Sequence, residues 1–491
     1  MSSDNRNDPA AHGDTMEASN EKKRSLNETA VDDKKQNGED NHNSSSSPSN
    51  DKNNNNAKRP KKENGKSQQR RKRGFDEERN DRDLPPHEGS YANKAHRELF
   101  GVTNLDENRF QYPEDAKPVK RKVALLLGFL GSEYGGFQVN VGQRTLQGEL
   151  ELALYRSALL STMNFGTPHK YSWSNSARTD KGVHACAQVC SLKIEVLESE
   201  VEDSFKAVQE RLQERLPSDI QVMDIVRTTR SFCAHTQRDR VRYQYMIPSF
   251  LLHPSYRQLL LDHDIPLDGR KDVARSPLRP EEVKKLQASL KEYRSTEEQR
   301  KVLKDALEKY VGTHPFHNFT RGLKVGQAQA NRFIHSFVVQ DSVVTSGVEW
   351  IPTQVLGDSF LLHQIRKMVS LAIDVARGVA SLDVMDKALS KDVVCVSLAP
   401  AQGLFLETSY FGGYNRRKAI SNPDFPDIDF SAEGPTHDRW EAFRAKIREH
   451  IVEEEASQGN FVQYLYQQEC MFDHEDLYRL DRDDETETKE Q

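Results

Sequence analysis

The stretch "SNSARTDKGVHACAQVCSLKI" (Ser174–Ile194) joins a charged turn to a run of mostly apolar or small residues. Such a run is typical of a strand that is buried on both faces. Directly before it, Asp180 lies between two cations, Arg178 and Lys181. The sequence Asp-Lys-Gly is common in turns because glycine adopts backbone conformations that other residues avoid. The local pattern favours a tight turn, and the alternative is an acid presented for chemistry at the strand end.

The sequence on both sides of this stretch predicts further strands and helices. The apolar runs "RKVALLLGFLG" (Arg121–Gly131) and "GLFLETSYF" (Gly403–Phe411) indicate strands, and "TLQGELELALYRSALL" (Thr145–Leu160) indicates an amphipathic helix. In "RVRYQYMIP" (Arg240–Pro248), alternation places tyrosines and arginines on opposite faces. Because strands and helices alternate without a strict βαβ order, we predict an α+β fold of two α/β sandwich halves with mainly antiparallel sheets.

Composition divides the chain of 491 residues into five segments. The first is rich in Asn, Ser and charged residues, so it has too little apolar surface to fold. The last has nine acidic and three basic residues and resembles a disordered acidic tail. The predicted segments are a disordered basic and polar tail (1–119), an N-terminal α/β half (120–236), a C-terminal α/β half (237–415) with a charged helical insertion near 253–309, a helical extension (416–470) and the acidic tail (471–491).

Charge is segregated along the chain, so the net charge of −6 says little about partners. The segment "KRPKKENGKSQQRRKRG" (Lys58–Gly74) carries nine Lys or Arg residues and one Glu. Such a block is typical of a nuclear-import signal or an RNA-binding arm, with a solvated linker as the alternative. We therefore expect an import receptor to bind Lys58–Arg73 and the protein to be nuclear. The apolar runs are too short to cross a membrane, and the N-terminus does not resemble a secretory signal.

The five cysteines form no CxxC pair, which favours reduced thiols in an intracellular compartment. His184, Cys186 and Cys190 are close in sequence, so a zinc site is an alternative. Their spacing matches no usual ligand pattern and no second ligand pair follows, so we expect no metal.

The helix predicted around "LLHQIRKMVSLAI" (Leu361–Ile373) contains an anomaly. Leu362, Val369 and Ile373 form an apolar row, and Arg366 lies in its middle. A buried guanidinium must be paired, because an isolated buried charge costs several kcal/mol. We expect a carboxylate from elsewhere in the fold to be its partner, with an arginine that extends along its own stem to solvent as the alternative.

These features occur within motifs that resemble a known family. "ARTDKGVHA" (Ala177–Ala185) resembles the signature of the tRNA pseudouridine synthase A family. Further blocks that resemble the family follow one another in family order between 121 and 412. The Asn at 140, the insertion and the basic arm resemble the eukaryotic, nuclear branch. The blocks are "GSEYGGFQVN", "TLQGELELAL", "SFCAHTQRDRVRYQY", "GTHPFHNFT", "GDSFLLHQIRKM" and "LAPAQGLFLETSYF".

The resemblance implies roles for individual residues. Asp180 is expected to be the catalytic carboxylate, acting as nucleophile or base. Tyr243 is expected to stack on the target base, and Arg366 to form an ion pair with Asp180. The two halves are expected to meet at a central RNA-binding cleft. The residues expected to bind substrate are Arg178, Lys181, Arg242 and Leu404.

The implied reaction is the isomerisation of uridine to pseudouridine in tRNA, with snRNA or mRNA as further substrates, carried out by a monomer. The reaction involves no redox change, so we expect no cofactor and no metal. One alternative is a non-catalytic RNA-binding or chaperone protein that retains the synthase fold. Another is a hydrolase that would release free uracil.

Overall fold

One sheet of ten strands organises the protein in the computed structural model, which describes residues 85–266 and 277–471. Eight strands follow one another in the order β4-β1-β3-β10-β5-β9-β7-β6, while β2 pairs with β3 and β8 with β9. The strands are β1 (Val119–Phe129), β2 (Ser174–Asn175), β3 (His184–Val196), β4 (Ile220–Arg227), β5 (Arg240–Pro248), β6 (Gly312–Pro315), β7 (Asn331–Val339), β8 (Val343–Thr345), β9 (Val348–Gly357) and β10 (Leu404–Tyr410).

Helices lie between these strands and after the last of them. The N-terminal part contains α1 (Lys94–Leu99), α2 (Leu146–Arg156), α3 (Glu198–Glu202), α4 (Lys206–Gln213) and α5 (Ala234–Gln237). The central and C-terminal parts contain α6 (Tyr256–Asp262), α7 (Pro280–Leu290), α8 (Glu297–Glu308), α9 (Gln364–Ala376), α10 (Leu382–Ala388), α11 (Gly412–Ser421), α12 (Pro435–Gln458) and α13 (Asn460–Met471). In the described ranges, no helix is both long and apolar enough to cross a membrane.

The predicted mixture of helices with a mainly antiparallel sheet is confirmed, but the two halves do not have separate sheets. β10 runs parallel to β3, with Phe405 opposite His184, and antiparallel to β5, with Leu406 opposite Tyr243. The last strand therefore joins the sheet of the N-terminal half to that of the C-terminal half. Local sequence patterns cannot show this join, because pairing depends on strands far apart in the chain.

The apolar run of β1 occupies an interior position in the sheet. It pairs with β3 on one side and with β4 on the other, and the consecutive residues Leu125, Leu126 and Leu127 are all buried. Because successive side chains of a strand point to opposite faces, β1 is buried on both faces. β3, which begins four residues after Asp180, lies between β1 and β10 in the sheet.

Residues 85–118 are ordered, which corrects the predicted tail boundary at residue 119. Asn93 caps α1, and Tyr91 packs against a small apolar cluster with Phe165. The Ser90 hydroxyl donates a hydrogen bond of 2.7 Å to the buried Glu151 carboxylate. A few apolar residues suffice here, because they dock on a surface that α2 already provides. The basic segment at 58–74 lies outside the described residues, as does the acidic tail after residue 471.

The charged segment at 253–309 is less peripheral than predicted. It contains α6, α7 and α8, while residues 267–276 lie outside the description. α8 packs against α9 and β7, and its residues Leu303, Ala306 and Leu307 are buried. The spacing of these three residues gives α8 an apolar face within a charged sequence. The helical extension predicted at 416–470 is present, and its longest helix, α12, packs on β3 and β4.

Candidate active site

Asp180 begins a tight turn that leads directly into β3. The Val183 N–H donates to the Asp180 carbonyl at 3.2 Å, and Gly182 has a φ of +80°. A turn with this φ at its third position favours glycine, because a side chain there is strained. A Cβ on Gly182 would also lie 3.4 Å from the Cβ of Ala401. The predicted turn is confirmed, and it places Asp180 at the end of a buried strand.

A cleft of about 680 Å³ opens over this turn. Its walls come from residues 176–180, from β5 and from the segment 359–366, which runs into α9. Five of the residues singled out from the sequence line it together, although they are distant in the chain. They are Arg178, Asp180, Tyr243, Arg366 and Leu404.

Tyr243 forms part of the buried wall of the cleft. The side chain is 8% exposed, and the ring of Phe360 meets it edge to face with centroids 5.5 Å apart. Burial, together with the charge of Asp180, raises the pKa of Tyr243 to about 12, although Arg238 opposes the shift. The phenol is therefore neutral at physiological pH and can donate a hydrogen bond. The ring is held by packing, as a platform for a flat base requires.

Arg366 and Asp180, both of which the structure describes, do not form the expected ion pair. Arg366 Nε donates instead to the Ala399 carbonyl at 2.7 Å. The Asp180 carboxylate faces His363, with Oδ2 3.7 Å from Nε2. Burial lowers the pKa of Arg366, while Tyr245 and Asp180 raise it, and an arginine remains charged under such shifts. Sequence could identify a cation that needs an acceptor, but it could not show that a backbone carbonyl would be that acceptor.

His363 is a site residue that the sequence reasoning missed. It lies immediately before α9, with a left-handed φ of +67°, and its ring lines the cleft. The helix was expected to include Leu362, but that residue precedes it and is 52% exposed. The available signal was the position of His363 within "GDSFLLHQIRKM". Its left-handed backbone has no local signal, because residues other than glycine and asparagine rarely adopt it.

Lys181 and Arg242 lie outside the main cleft. Lys181 is exposed and borders a neighbouring cavity of about 460 Å³, which also touches Arg366. Arg242 donates from Nε to the buried Glu407 carboxylate at 2.9 Å and also contacts Thr408. The expectation that Arg242 binds substrate therefore does not fit its position. Successive side chains of a strand point to opposite faces, so a residue next to Tyr243 points away from the cleft.

Two further arginines line the cleft and were not predicted. Arg238 donates to the carbonyls of Ser176 and Asp358, and Arg332 donates to the carbonyl of Gln329. In each guanidinium, Nε is buried and has no hydrogen-bond partner within the described parts of the chain. The cleft is therefore strongly cationic around one carboxylate, a combination suited to a polyanion.

His184 has a structural role at the start of β3. Nδ1 accepts from the Gly131 N–H at 3.0 Å, and Nε2 lies 3.2 Å from the Gln402 carbonyl. Burial and the nearby His450 lower the pKa of His184 to about 3. Cys186 and Cys190 are buried thiols. Within residues 85–266 and 277–471, no group of three or more His, Cys, Asp or Glu side chains is arranged to hold a metal ion.

Comparison with known proteins connects this cleft to one family. Residues 306–412 match the family model described as tRNA pseudouridine synthase. A tRNA pseudouridine synthase 1 from Kluyveromyces lactis is 30% identical over 406 residues, which cover 73% of this chain and 71% of that protein. A tRNA pseudouridine(27/28) synthase from Saccharomyces cerevisiae is 33% identical over 326 residues, which cover 60% of this chain and 85% of that protein. A mouse pseudouridylate synthase 1 homolog is 31% identical over 327 residues, which cover 65% of this chain and 68% of that protein. The motifs, the family model and the relatives agree that this chain belongs to the tRNA pseudouridine synthase A family, in its eukaryotic part.

Proposed function

We propose that Asp180 is the catalytic carboxylate with which this synthase isomerises uridine to pseudouridine in tRNA. The observation that carries the proposal is its place in the cleft. Asp180 lies at a fixed turn and faces into a cationic pocket whose buried wall is an aromatic platform, Tyr243. A carboxylate, a base-stacking ring and phosphate-binding cations are what the reaction needs in one place.

The chemistry begins with cleavage of the bond between C1′ and N1 of the target uridine. The uracil then turns, C1′ bonds to C5, the C5 proton is lost and N1 gains a proton, so atoms and charge balance without a redox partner. Asp180 can serve by attacking C1′ or by removing the C2′ proton to give a glycal. In both routes the carboxylate must be ionised to act.

Tyr243 and Leu404 supply the apolar part of the pocket. Stacking on an aromatic ring contributes about 1–3 kcal/mol per base and tolerates rotation of the base in its plane. That tolerance suits a reaction in which uracil is released and turned before it rejoins the sugar. The neutral Tyr243 hydroxyl can also assist loss of the C5 proton by orienting a water that accepts it.

RNA binding depends on the positive charge around the cleft. A uridine within a stem must be flipped out at a cost of a few kcal/mol. Contacts from cations to phosphates offset that cost, and they recognise the shape of an A-form stem rather than its sequence. We assign this role to Arg178, Lys181, Arg238 and Arg332, and we propose that the N-terminal and C-terminal halves meet at this cleft to hold the stem.

Tritium release tests the reaction. tRNA labelled with tritium at C5 of uridine is incubated with the full chain, and tritium in water is counted. Wild-type protein releases tritium, Asp180→Ala releases none and still binds tRNA, and the matched control Asp424→Ala, at an exposed acid, behaves as wild type. Tight binding without release by the wild type would identify a non-catalytic RNA-binding protein. Free uracil as product would identify a hydrolase.

The partners and compartment also belong to this proposal. The segment Lys58–Arg73 binds an import receptor and directs the protein to the nucleus, where it acts as a monomer on tRNA and on further RNAs such as snRNA or mRNA. The support is the basic composition of that segment and its two clusters. Deleting 58–73 from a fluorescent fusion should move it to the cytoplasm, and mapping pseudouridine in cells without the gene would identify the modified RNAs.

A further inference from the structure

The imidazole of His363 faces the Asp180 carboxylate from the opposite wall of the cleft. Nε2 lies 3.7 Å from Oδ2, and the two side chains are 16% and 26% exposed. This distance is longer than a hydrogen bond, so the two side chains must move closer together before Nε2–H can donate to Oδ2. Among the described residues, His363 is the one whose basic side chain contacts the Asp180 carboxylate.

The backbone is strained in a way that directs His363 into the cleft. Its φ of +67° is costly for any residue that has a Cβ. Two hydrogen bonds hold the segment in that conformation. The Leu361 N–H donates to Gln364 Oε1 at 2.8 Å, and the Lys367 N–H donates to the His363 carbonyl at 3.1 Å. Strain that surrounding structure maintains at a reactive centre is commonly part of the mechanism.

The surroundings of the ring favour one protonation state and one tautomer. Burial lowers the pKa of His363, and Arg366, Arg321 and Lys367 lower it further, while Asp180 opposes them. The imidazole is therefore neutral at physiological pH. Nδ1 is buried and has no hydrogen-bond partner in the described structure. A proton on Nε2 rather than on Nδ1 avoids an unsatisfied buried donor and points an N–H at the carboxylate.

We propose that His363 is a positioning residue for Asp180, an inference that rests on the proposed catalytic role of that carboxylate. The neutral Nε2–H orients Oδ2 and leaves Oδ1 for the ribose of the flipped uridine. A neutral donor orients the carboxylate without cancelling its charge, whereas the Arg366 guanidinium, held by the Ala399 carbonyl, supplies positive charge from farther away. His363 and Arg366 thus act on Asp180 in different ways: His363 orients the carboxylate, and Arg366 supplies positive charge.

Replacing His363 with Gly tests the proposal, because glycine relieves the backbone strain while it removes the ring. We expect kcat for tritium release to fall about 10- to 100-fold, since a misplaced catalytic group costs about that much. KM for tRNA and the melting temperature should stay near the wild-type values. Added imidazole should restore much of the lost rate. His363→Gln, whose amide nitrogen reaches about as far as Nε2, should be faster than His363→Gly.

The control is His335→Gln, which alters another histidine paired with an aspartate, Asp358, at 2.7 Å. Its kcat should match that of the wild type. Wild-type kcat in His363→Gly would overturn the positioning role, as would a loss that neither imidazole nor the Gln variant relieves. Tritium release that survives Asp180→Ala would instead overturn the proposed function, so the two failures are distinguishable.

Discussion

The ring of Phe360 meets the ring of Tyr243 edge to face, at an interplanar angle of 88° and a centroid distance of 5.5 Å. One ring belongs to the segment before α9 and the other to β5, so the contact joins two walls of the cleft. Edge-to-face packing fixes the plane of Tyr243 without covering both of its faces. The aromatic platform therefore keeps a fixed orientation within the pocket.

Tyr243→Phe and Tyr243→Ala separate stacking from the hydroxyl group. The Phe variant keeps the ring, so its KM for tRNA should stay within about threefold of the wild-type value. The Ala variant loses stacking worth about 1–3 kcal/mol, so its KM should rise about 5- to 150-fold. Steady-state kinetics of tritium release measure both. Equal KM values for the Ala variant and the wild type would refute the stacking role.

Arg366→Lys should impair kcat nearly as much as Arg366→Ala. A lysine keeps the charge, but it lacks the planar guanidinium that the Ala399 carbonyl holds in place, so the charge would not keep its position at the cleft. Arg242→Gln provides the contrast, because Arg242 binds the buried Glu407 away from the cleft. It should lower the free energy of unfolding by about 1–3 kcal/mol and leave kcat unchanged. A slow but fully stable Arg242→Gln protein would contradict the position assigned to that side chain.

Gly182→Ala should displace Asp180. Its φ of +80° makes a side chain costly by about 1–2 kcal/mol, and relief of that strain would shift the turn that begins at Asp180. Gly378→Ala is the matched control, because Gly378 has a φ of +81° and no heavy atom within 4 Å of its would-be Cβ. Denaturant unfolding should show a loss of stability in both variants, and kinetics should show a loss of kcat in Gly182→Ala alone. A comparable loss of kcat in both variants would show that Gly182 has no specific role in placing Asp180.

The buried Glu455 should make stability depend on pH. Burial raises its pKa from the ordinary value of 4.5 to about 8, although the carboxylate accepts from the backbone N–H of Phe461 and of Val462. Between these two values the folded state holds a proton that the unfolded state has lost, so this group lowers stability as pH rises. Glu455→Gln should raise the melting temperature more at pH 8.5 than at pH 5, as thermal unfolding would show. An equal change at both values would contradict the raised pKa.

Part of the fold was predictable because local sequence determines it. The apolar runs of β1 and β3, the alternation in β5 and the glycine turn after Asp180 depend on neighbouring residues, and all are present. β9 was missed although it lies between β5 and β7, because Pro352 in its middle lacks an N–H and weakens the strand pattern. The ordered segment at 85–118 was missed because its apolar residues are few, and their burial depends on a distant surface.

The sequence by itself identified the residues that we propose carry the chemistry, since Asp180, Tyr243 and Arg366 belong to motifs that follow one another in order along the chain. Only the tertiary structure decided their partners. It gave Arg366 a backbone carbonyl, turned Arg242 toward Glu407 and brought His363 to Asp180. The physical reason is that a charged side chain chooses among acceptors by distance and burial, and both depend on how remote segments pack.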